Sequence, residues 1–336
     1  MSQLRIEADG ILAEIRRGHA IKLLVCSDRS NHFENGALAE LIAHPQVRSV
    51  TFEKNLRSAI ERQEKFDVAL ILTHWVDEVA QLRAARHHNV ADLYVLWIWD
   101  NHIAEDFHRQ VAALGDLIIP AHGFNVAYLK GARNDVLPSV SIPSVQWDLP
   151  TAESVFDASG YDERSDDLYG AYFTYKEFPE RERLLRACVT ARISDGIFLR
   201  EANEANRDTF FHSGAAGRLK EWMAYKTSIC LPLRNDLSSR LFDALVAGQI
   251  PIAPRRTVDL DQVIPPEVQE WLPIIRFDEY TVANVQAAYR EAIRRFDQDG
   301  PAGVLRRHRY AVENHMARHR MMEVVQTVID YSGTAA

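Results

Sequence analysis

The chain has 336 residues, 47% hydrophobic and 26% charged, which is ordinary globular material and long enough for two hydrophobic cores. A net charge of −8 argues against a dedicated nucleic-acid binder, whose footprint is a basic domain, and leaves room only for a local basic patch. The longest purely apolar runs, such as residues 68–72, fall far short of the roughly 20 residues of a membrane helix, and Arg5, Glu7 and Asp9 break a signal-peptide pattern, so a cytoplasmic protein is expected.

The first half alternates short apolar runs with amphipathic ones. Residues 21–26, 47–52, 67–73, 93–99 and 116–120 read as strands, rich in Val, Ile and aromatic residues. Their nearly unbroken apolarity implies burial on both faces. Between them, residues 36–43, 55–63 and 103–113 return apolar positions at intervals of three and four, as helices do. The βαβα order predicts a parallel sheet between helices, with ligand groups at the carboxyl ends of its strands. Cys26, Cys188 and Cys230 lack metal-ligand spacing and sit among apolar neighbours, which suits small buried hydrophobes.

Residues 143–164 lose the pattern, carrying Pro143, Pro150, Gly160 and a cluster of acids. A domain boundary is placed there, giving domains 1–150 and 165–336. The pattern resumes with strands at 167–175 and 196–199 and helices at 179–192 and 214–225. A strand at 228–233, a helix at 239–247 and a strand at 250–253 follow, and residues 281–331 read as two or more helices. The chain is therefore expected to be α/β throughout, with two Rossmann-like doubly wound domains facing each other across a cleft and helices at the C-terminus.

The most informative stretch is residues 225–254. Asn235 to Ser239 is turn chemistry, Ser239 suits a helix N-cap, and Gly248 with Pro251 ends the helix. Every residue from Leu241 to Ala247 is apolar except Asp243, so one carboxylate is embedded in a buried helix and needs partners. The helix start offers free N–H groups and a positive dipole end that suit phosphate, and Asp243 lies one turn beyond Ser239 on the same face. A bland reading, in which Asp243 only complements the helix dipole, stands beside the ligand reading.

The motif Ser-x-Arg-Leu-Phe-Asp-Ala-Leu-x-Ala-Gly-x-Ile-Pro-Ile, formed by residues 238–252, resembles the donor-binding signature of GT-B glycosyltransferases. Its local flavour is closest to exostosin-like transferases and their bacterial relatives. The resemblance implies that Asp243 binds the ribose hydroxyls of a nucleotide and that Ser238, Ser239 and Arg240 face the diphosphate and sugar. The retaining variant carries an acid eight positions before Asp243, where this chain has Asn235. A weaker likeness covers Gly170 to Lys176, where many GT-B enzymes carry Gly-Arg-Leu-x-x-x-Lys with both cations on the diphosphate. Gly170 and Lys176 match, Ala171 replaces the arginine, and Arg181, Arg183, Arg218 and Arg240 are candidates for the missing charge. Lys176 as a solvated surface charge is the bland alternative.

An acceptor site is expected at the strand ends of the first domain. His32 lies in the polar loop 27–36, His74 and Trp75 follow the third strand, and Asp100, Asn101 and His102 follow the fourth. Inverting transfer needs a base for the acceptor hydroxyl, and Asp100 and His32 are the candidates. Trp75, Trp97 and Trp99 offer flat faces for sugar stacking, with core packing as the alternative. No cluster resembles a metal site and no Asp-x-Asp of the kind that metal-dependent transferases use for diphosphate is seen, so a metal-independent reaction is expected, with cations and helix dipoles neutralising the leaving diphosphate and no cofactor beyond the nucleotide-sugar substrate. The resemblance implies a nucleotide-diphosphate sugar as donor, with UDP-sugars among the candidates, and a hydroxyl of a glycan, a lipid-linked or a small molecule as the expected acceptor. A nucleotide-sugar epimerase or hydrolase and a non-catalytic two-domain sugar-binding protein are the alternatives. Residues 305–331 hold five arginines and three histidines beside an apolar stripe through Tyr310, Val312, Met316, Met322, Val325 and Ile329. They are read as a helix packing back onto the first domain, with weak peripheral attraction to the inner membrane face as the alternative.

Overall fold

The computed structural model describes residues 3–27, 37–73, 78–157, 159–203 and 214–334. The chain forms two compact units, Met1–Ile142 with Ala317–Ala336, and Pro143–Met316. The split falls at residue 142 rather than 150, and the last helix is part of the first unit although the chain reaches it only after completing the second.

The first unit opens with helix α1 (Gln3–Arg16) and winds through β1 (Ile21–Cys26), α2 (Ala37–Ala43), β2 (Val47–Glu53), α3 (Leu56–Glu61) and β3 (Phe66–Thr73). It continues with α4 (Glu78–His87), β4 (Ala91–Ile98), α5 (Glu105–Ala112), β5 (Leu117–Pro120) and the short β6 (Asp135–Val136). All strands are parallel in the order β2-β1-β3-β4-β5-β6. Because successive side chains leave a strand on opposite faces, the unbroken apolar runs feed two cores. Leu23, Val25, Leu70, Val95 and Trp97 pack on one face with Ile11 and Ile15 of α1. Leu24, Ala69, Ile71, Leu96 and Ile98 pack on the other with Leu56, Leu82 and Val111 from α3, α4 and α5.

In the second unit, α6 (Leu149–Val155) precedes β7 (Ser165–Thr174), α7 (Pro179–Thr190), β8 (Ile197–Glu201), α8 (Gly214–Met223) and β9 (Tyr225–Ile229). Then come α9 (Ser239–Val246), β10 (Ile250–Pro254), α10 (Leu260–Val263), α11 (Pro266–Gln269), β11 (Ile275–Phe277) and the long α12 (Val282–Asn314). The sheet order is β11-β10-β9-β7-β8, again all parallel. Counted within its own unit this is the same winding as the first sheet, with the second strand outside the first and the third on the first strand's other side. Helix α7 covers one face, through Leu184 and Leu185, together with α12. Helices α8 and α9 cover the other.

Strand β9 begins three residues before the expected 228 and ends at Ile229. Its polar start, Lys226, is held by Asp166 and Asp297 (2.8 Å to the latter). The ladder stops because Leu231 N donates to the Tyr172 hydroxyl (2.9 Å) instead of a neighbouring strand. The C-terminal region is not one stripe. Helix α12 is kinked at Gly300, where φ is +58°, and ends at Asn314; α13 (Ala317–Thr334) then belongs to the first unit. Ala311 and Met316 are buried in the second unit, whereas Met321, Val324, Val325 and Val328 are buried against the first sheet. Among the described residues no helix is long and apolar enough to cross a membrane.

Candidate functional site

In a doubly wound sheet the crevice outside the carboxyl ends of the strands, where the winding reverses, is where backbone N–H groups and loop side chains converge without obstruction. In the second unit that point lies between β7 and β9. The loop that leaves β9 there is the segment singled out by its sequence. Ser238, with extended backbone, caps α9: its hydroxyl accepts Arg240 N at 3.4 Å, and so Ser238, not Ser239, is the N-cap. Asn235 holds the loop by accepting Val258 N on its carbonyl (2.7 Å), and Asp236 Oδ1 accepts Arg234 N (3.0 Å). Asn235, Ser238, Ser239 and Arg240 are all half-buried, open enough to meet a ligand.

Arg240 reaches across to β7. Its Nη2 donates to the carbonyl of Ala171 at 3.0 Å, and its guanidinium lies 4.4 Å from the ring centroid of Tyr172. The position that lacks a motif arginine in the sequence thus has a guanidinium at its own backbone, delivered from α9. The other candidates are placed differently. Arg181 is buried and spends its fork on Glu182 Oε1 (2.8 and 3.2 Å) and the carbonyl of Phe173 (2.7 Å). Arg218 is half-buried on α8, within electrostatic reach of Asp243. Exposed Arg183 and Lys176 line a crevice of about 660 Å³ at the carboxyl ends of β7 and β8, together with Thr174, Glu182, Arg186 and Asn203.

Asp243 is 2% exposed. Its Oδ1 accepts Gln146 N (3.0 Å) and its Oδ2 accepts Gln146 Nε2 (2.8 Å), so the partners that its embedded charge requires are supplied by the segment entering the unit. Burial pushes its carboxyl up to about 8, while the two Gln146 donors and the Arg240 and Arg218 charges pull the other way. Gln146 carries no sequence signal of this pairing, which spans 97 positions.

In the first unit the reversal lies between β1 and β3. The loops that follow them, residues 28–36 and 74–77, contain His32, His74 and Trp75 and lie outside the described residues. Asp100 is half-buried in the turn after β4, its carbonyl accepting Ile103 N (3.0 Å) and Ala104 N (3.4 Å). Beside it, Asn101 clips the loop after β5: Nδ2 donates to the carbonyls of His122 and Phe124 (both 3.1 Å), and Oδ1 accepts His122 N (3.0 Å). His102 and His122 meet edge to face, 4.7 Å between ring centroids. His122 was missed by sequence reasoning, yet the carboxyl-end rule applied to β5 points to it. Trp97 is a correction. It is fully buried in the core and its indole donates to the carbonyl of Val140 (2.9 Å), so it offers no face to a sugar. Trp99 is half-buried against the same core.

No protein-family model and no curated protein matches the chain. Solved structures that resemble it include a glycosyltransferase from Rickettsia africae ESF-5, with TM-score 0.49, 8% identity and coverage of 94% of this chain and 100% of that one. The pneumococcal O-GlcNAc transferase GtfA, in complex with UDP and GlcNAc, gives TM-score 0.45 and 12% identity over 82% of this chain and 59% of that one. The spinosyn forosaminyltransferase SpnP gives 0.39 and 10% over 93% and 100%. At such scores and identities the likeness assigns no residue and no substrate here.

Proposed function

We propose that the chain is a glycosyltransferase of GT-B type that moves a sugar from a nucleotide-diphosphate donor to a hydroxyl acceptor. The observation that carries this reading is the placement of the Ser238–Ile252 motif: the N-terminus of α9 lies in the loop after β9, next to the winding reversal, with the Arg240 guanidinium carried over to Ala171 of β7. A helix N-terminus and a fixed guanidinium together suit a diphosphate, and both act where negative charge grows as the glycosidic bond breaks and the nucleoside diphosphate leaves. Lys176 adds a second cation at the tip of β7. The electrophilic anomeric carbon is then attacked by the acceptor hydroxyl, whose proton passes to a base in the first unit. Asp100, in the turn after β4, is the candidate among the described residues, and His32 is the second candidate. The donor phosphates are neutralised by these side chains and the helix end, which makes a metal-independent reaction the natural form of this proposal. A glycan or lipid-linked hydroxyl is the acceptor class.

Calorimetry of the full chain with UDP, GDP, ADP and CDP tests the reading. At least one binds, and Arg240→Gln weakens it by roughly tenfold, the order of one charge-assisted hydrogen bond. Absence of binding to all four sinks the proposal. Donor consumed at the same rate with and without acceptors supports a hydrolase or epimerase instead, and binding of free sugar with no preference for nucleotides supports a binding protein.

A further inference from the structure

The crevice at the carboxyl ends of β7 and β8 holds a carboxylate that neither the motif nor the proposed chemistry uses. Glu182, in the first turn of α7, is 8% exposed and lines the crevice beside Lys176 and Arg183. Its Oε1 takes two N–H groups of the Arg181 fork, at 2.8 and 3.2 Å. Its Oε2 is buried and meets no hydrogen-bond donor among the described residues. Buried polar atoms without partners are uncommon because each costs its desolvation, and a carboxylate oxygen costs more than a neutral one. Arg181 is itself held by the carbonyl of Phe173 and by the rings of Tyr172 and Tyr175, both 5.4 Å from its guanidinium, so Oε1 is fixed and Oε2 is left as the oxygen without a donor among the described residues.

The crevice therefore combines cations for phosphate with one fixed acceptor for a hydrogen-bond donor. In Asp243, the acid that the motif resemblance assigns to the ribose, each oxygen already accepts a hydrogen bond from Gln146. We infer that Glu182 is the residue that accepts a hydrogen bond from a ribose hydroxyl of the nucleotide, through Oε2, with Arg181 positioning it and Lys176 and Arg183 beside the phosphates. This rests on the nucleotide-donor reading above and goes beyond it by naming the hydroxyl-binding group and a ribonucleotide, rather than a deoxyribonucleotide, as the donor class. The crevice volume of about 660 Å³ accommodates a ligand of nucleotide size.

The test compares the tightest binder among UDP, GDP, ADP and CDP with its 2′-deoxy and 3′-deoxy counterparts, by calorimetry on the full chain. In the unmodified protein the loss of one of the two hydroxyls weakens binding by about tenfold or more, as expected for a hydrogen bond to a charged acceptor. In Glu182→Gln the acceptor is neutral, a bond to the hydroxyl loses its charge assistance, and the gap shrinks to about threefold or less. Glu182→Asp keeps the charge and withdraws it by one methylene, and the same shrinkage is expected. An unchanged gap in a variant whose thermal melting shows it folded overturns the inference while leaving the donor reading intact. Equal affinities for all three forms of the nucleotide in the unmodified protein overturn it whether or not the variants fold. Failure of all four nucleotides to bind overturns the donor reading and this inference with it.

Discussion

Asp243 is a carboxyl group that the fold keeps out of water, and the competition at its two oxygens has a measurable consequence. Burial is the largest influence and raises its proton affinity, so that it titrates near pH 8 in the folded chain, against about 4 for an aspartate in an unfolded chain. Between these values the folded protein holds a proton that the unfolded chain has lost. Stability from this group is therefore fully present below about pH 4 and declines as pH rises through 8. Asp243→Asn removes the titration while preserving shape, because the Gln146 amide can turn to present its oxygen to the new N–H₂ group. The melting temperature of the native chain relative to the Asn variant is expected to fall by several degrees from pH 5 to 9. Parallel pH profiles for the two proteins would show that the carboxyl titrates as an ordinary surface acid. Asp243→Ala strands both Gln146 donors and is expected to cost about 1–3 kcal/mol at pH 5 and less as pH rises through 8, read by denaturant unfolding.

Helix α9 is the element on which the motif depends, and its C-terminal end is built to one pattern. Gly248 has φ of +76°, its N–H reaches the carbonyl of Leu245 (2.9 Å), and Gln249 N reaches Ala244 (2.8 Å). Two buried arginines close the remaining carbonyls: Arg164 Nη1 donates to Ala247 (2.8 Å) and Arg307 Nε to Gly248 (2.9 Å). A Cβ at Gly248 would stand 2.6 Å from Val304 Cγ1 and 3.1 Å from the Val304 carbonyl. Gly248→Ala therefore combines a left-handed backbone with an overlap, and a loss of about 2–4 kcal/mol is expected in chemical denaturation; a loss under about 1 kcal/mol would mean that α12 moves aside freely. This element was legible in the sequence because its signals are local: Ser238, Asn235, Gly248 and Pro251 are turn and cap chemistry within one short span. Others were not. The apolar spacing of Ala8, Ile11, Leu12 and Ile15 marks α1, yet among the charges of the N-terminus it went unread. The partners of Asp243 and Arg240 come from separate elements, and no local pattern announces a pairing across 97 or 69 positions.

At the scale of the whole molecule the chain builds its first unit in two installments, and this follows from where the last apolar face is spent. The sheet of the first unit has one face covered by α3, α4 and α5; the other is covered by α1 and α13. Met321, Val324, Val325 and Val328 lie at 5% exposure or less against Ile15, Ile21, Val68 and Val95. Arg16 Nε donates to the carbonyl of Ser332 (2.6 Å), the Tyr331 hydroxyl to Asp135 (2.8 Å), and Arg318 pairs with Glu40 (3.2 Å). Four large apolar side chains at roughly 1.5–3 kcal/mol each amount to something on the order of the entire stability of a domain. The apolar stripe of α13 is thus committed to the core, which leaves the basic residues of the segment without the apolar face that an interfacial helix inserts. Ending the chain at Met316 leaves the second unit whole, since it spans Pro143–Met316, and strips the first sheet of a covering helix. Limited proteolysis of the 1–316 chain is expected to digest the first unit rapidly and to leave a fragment beginning near residue 143. Survival of both units would show that α13 is dispensable to the first core. Digestion of both would show that the second unit, despite its own two-sided core, relies on the first to stay folded.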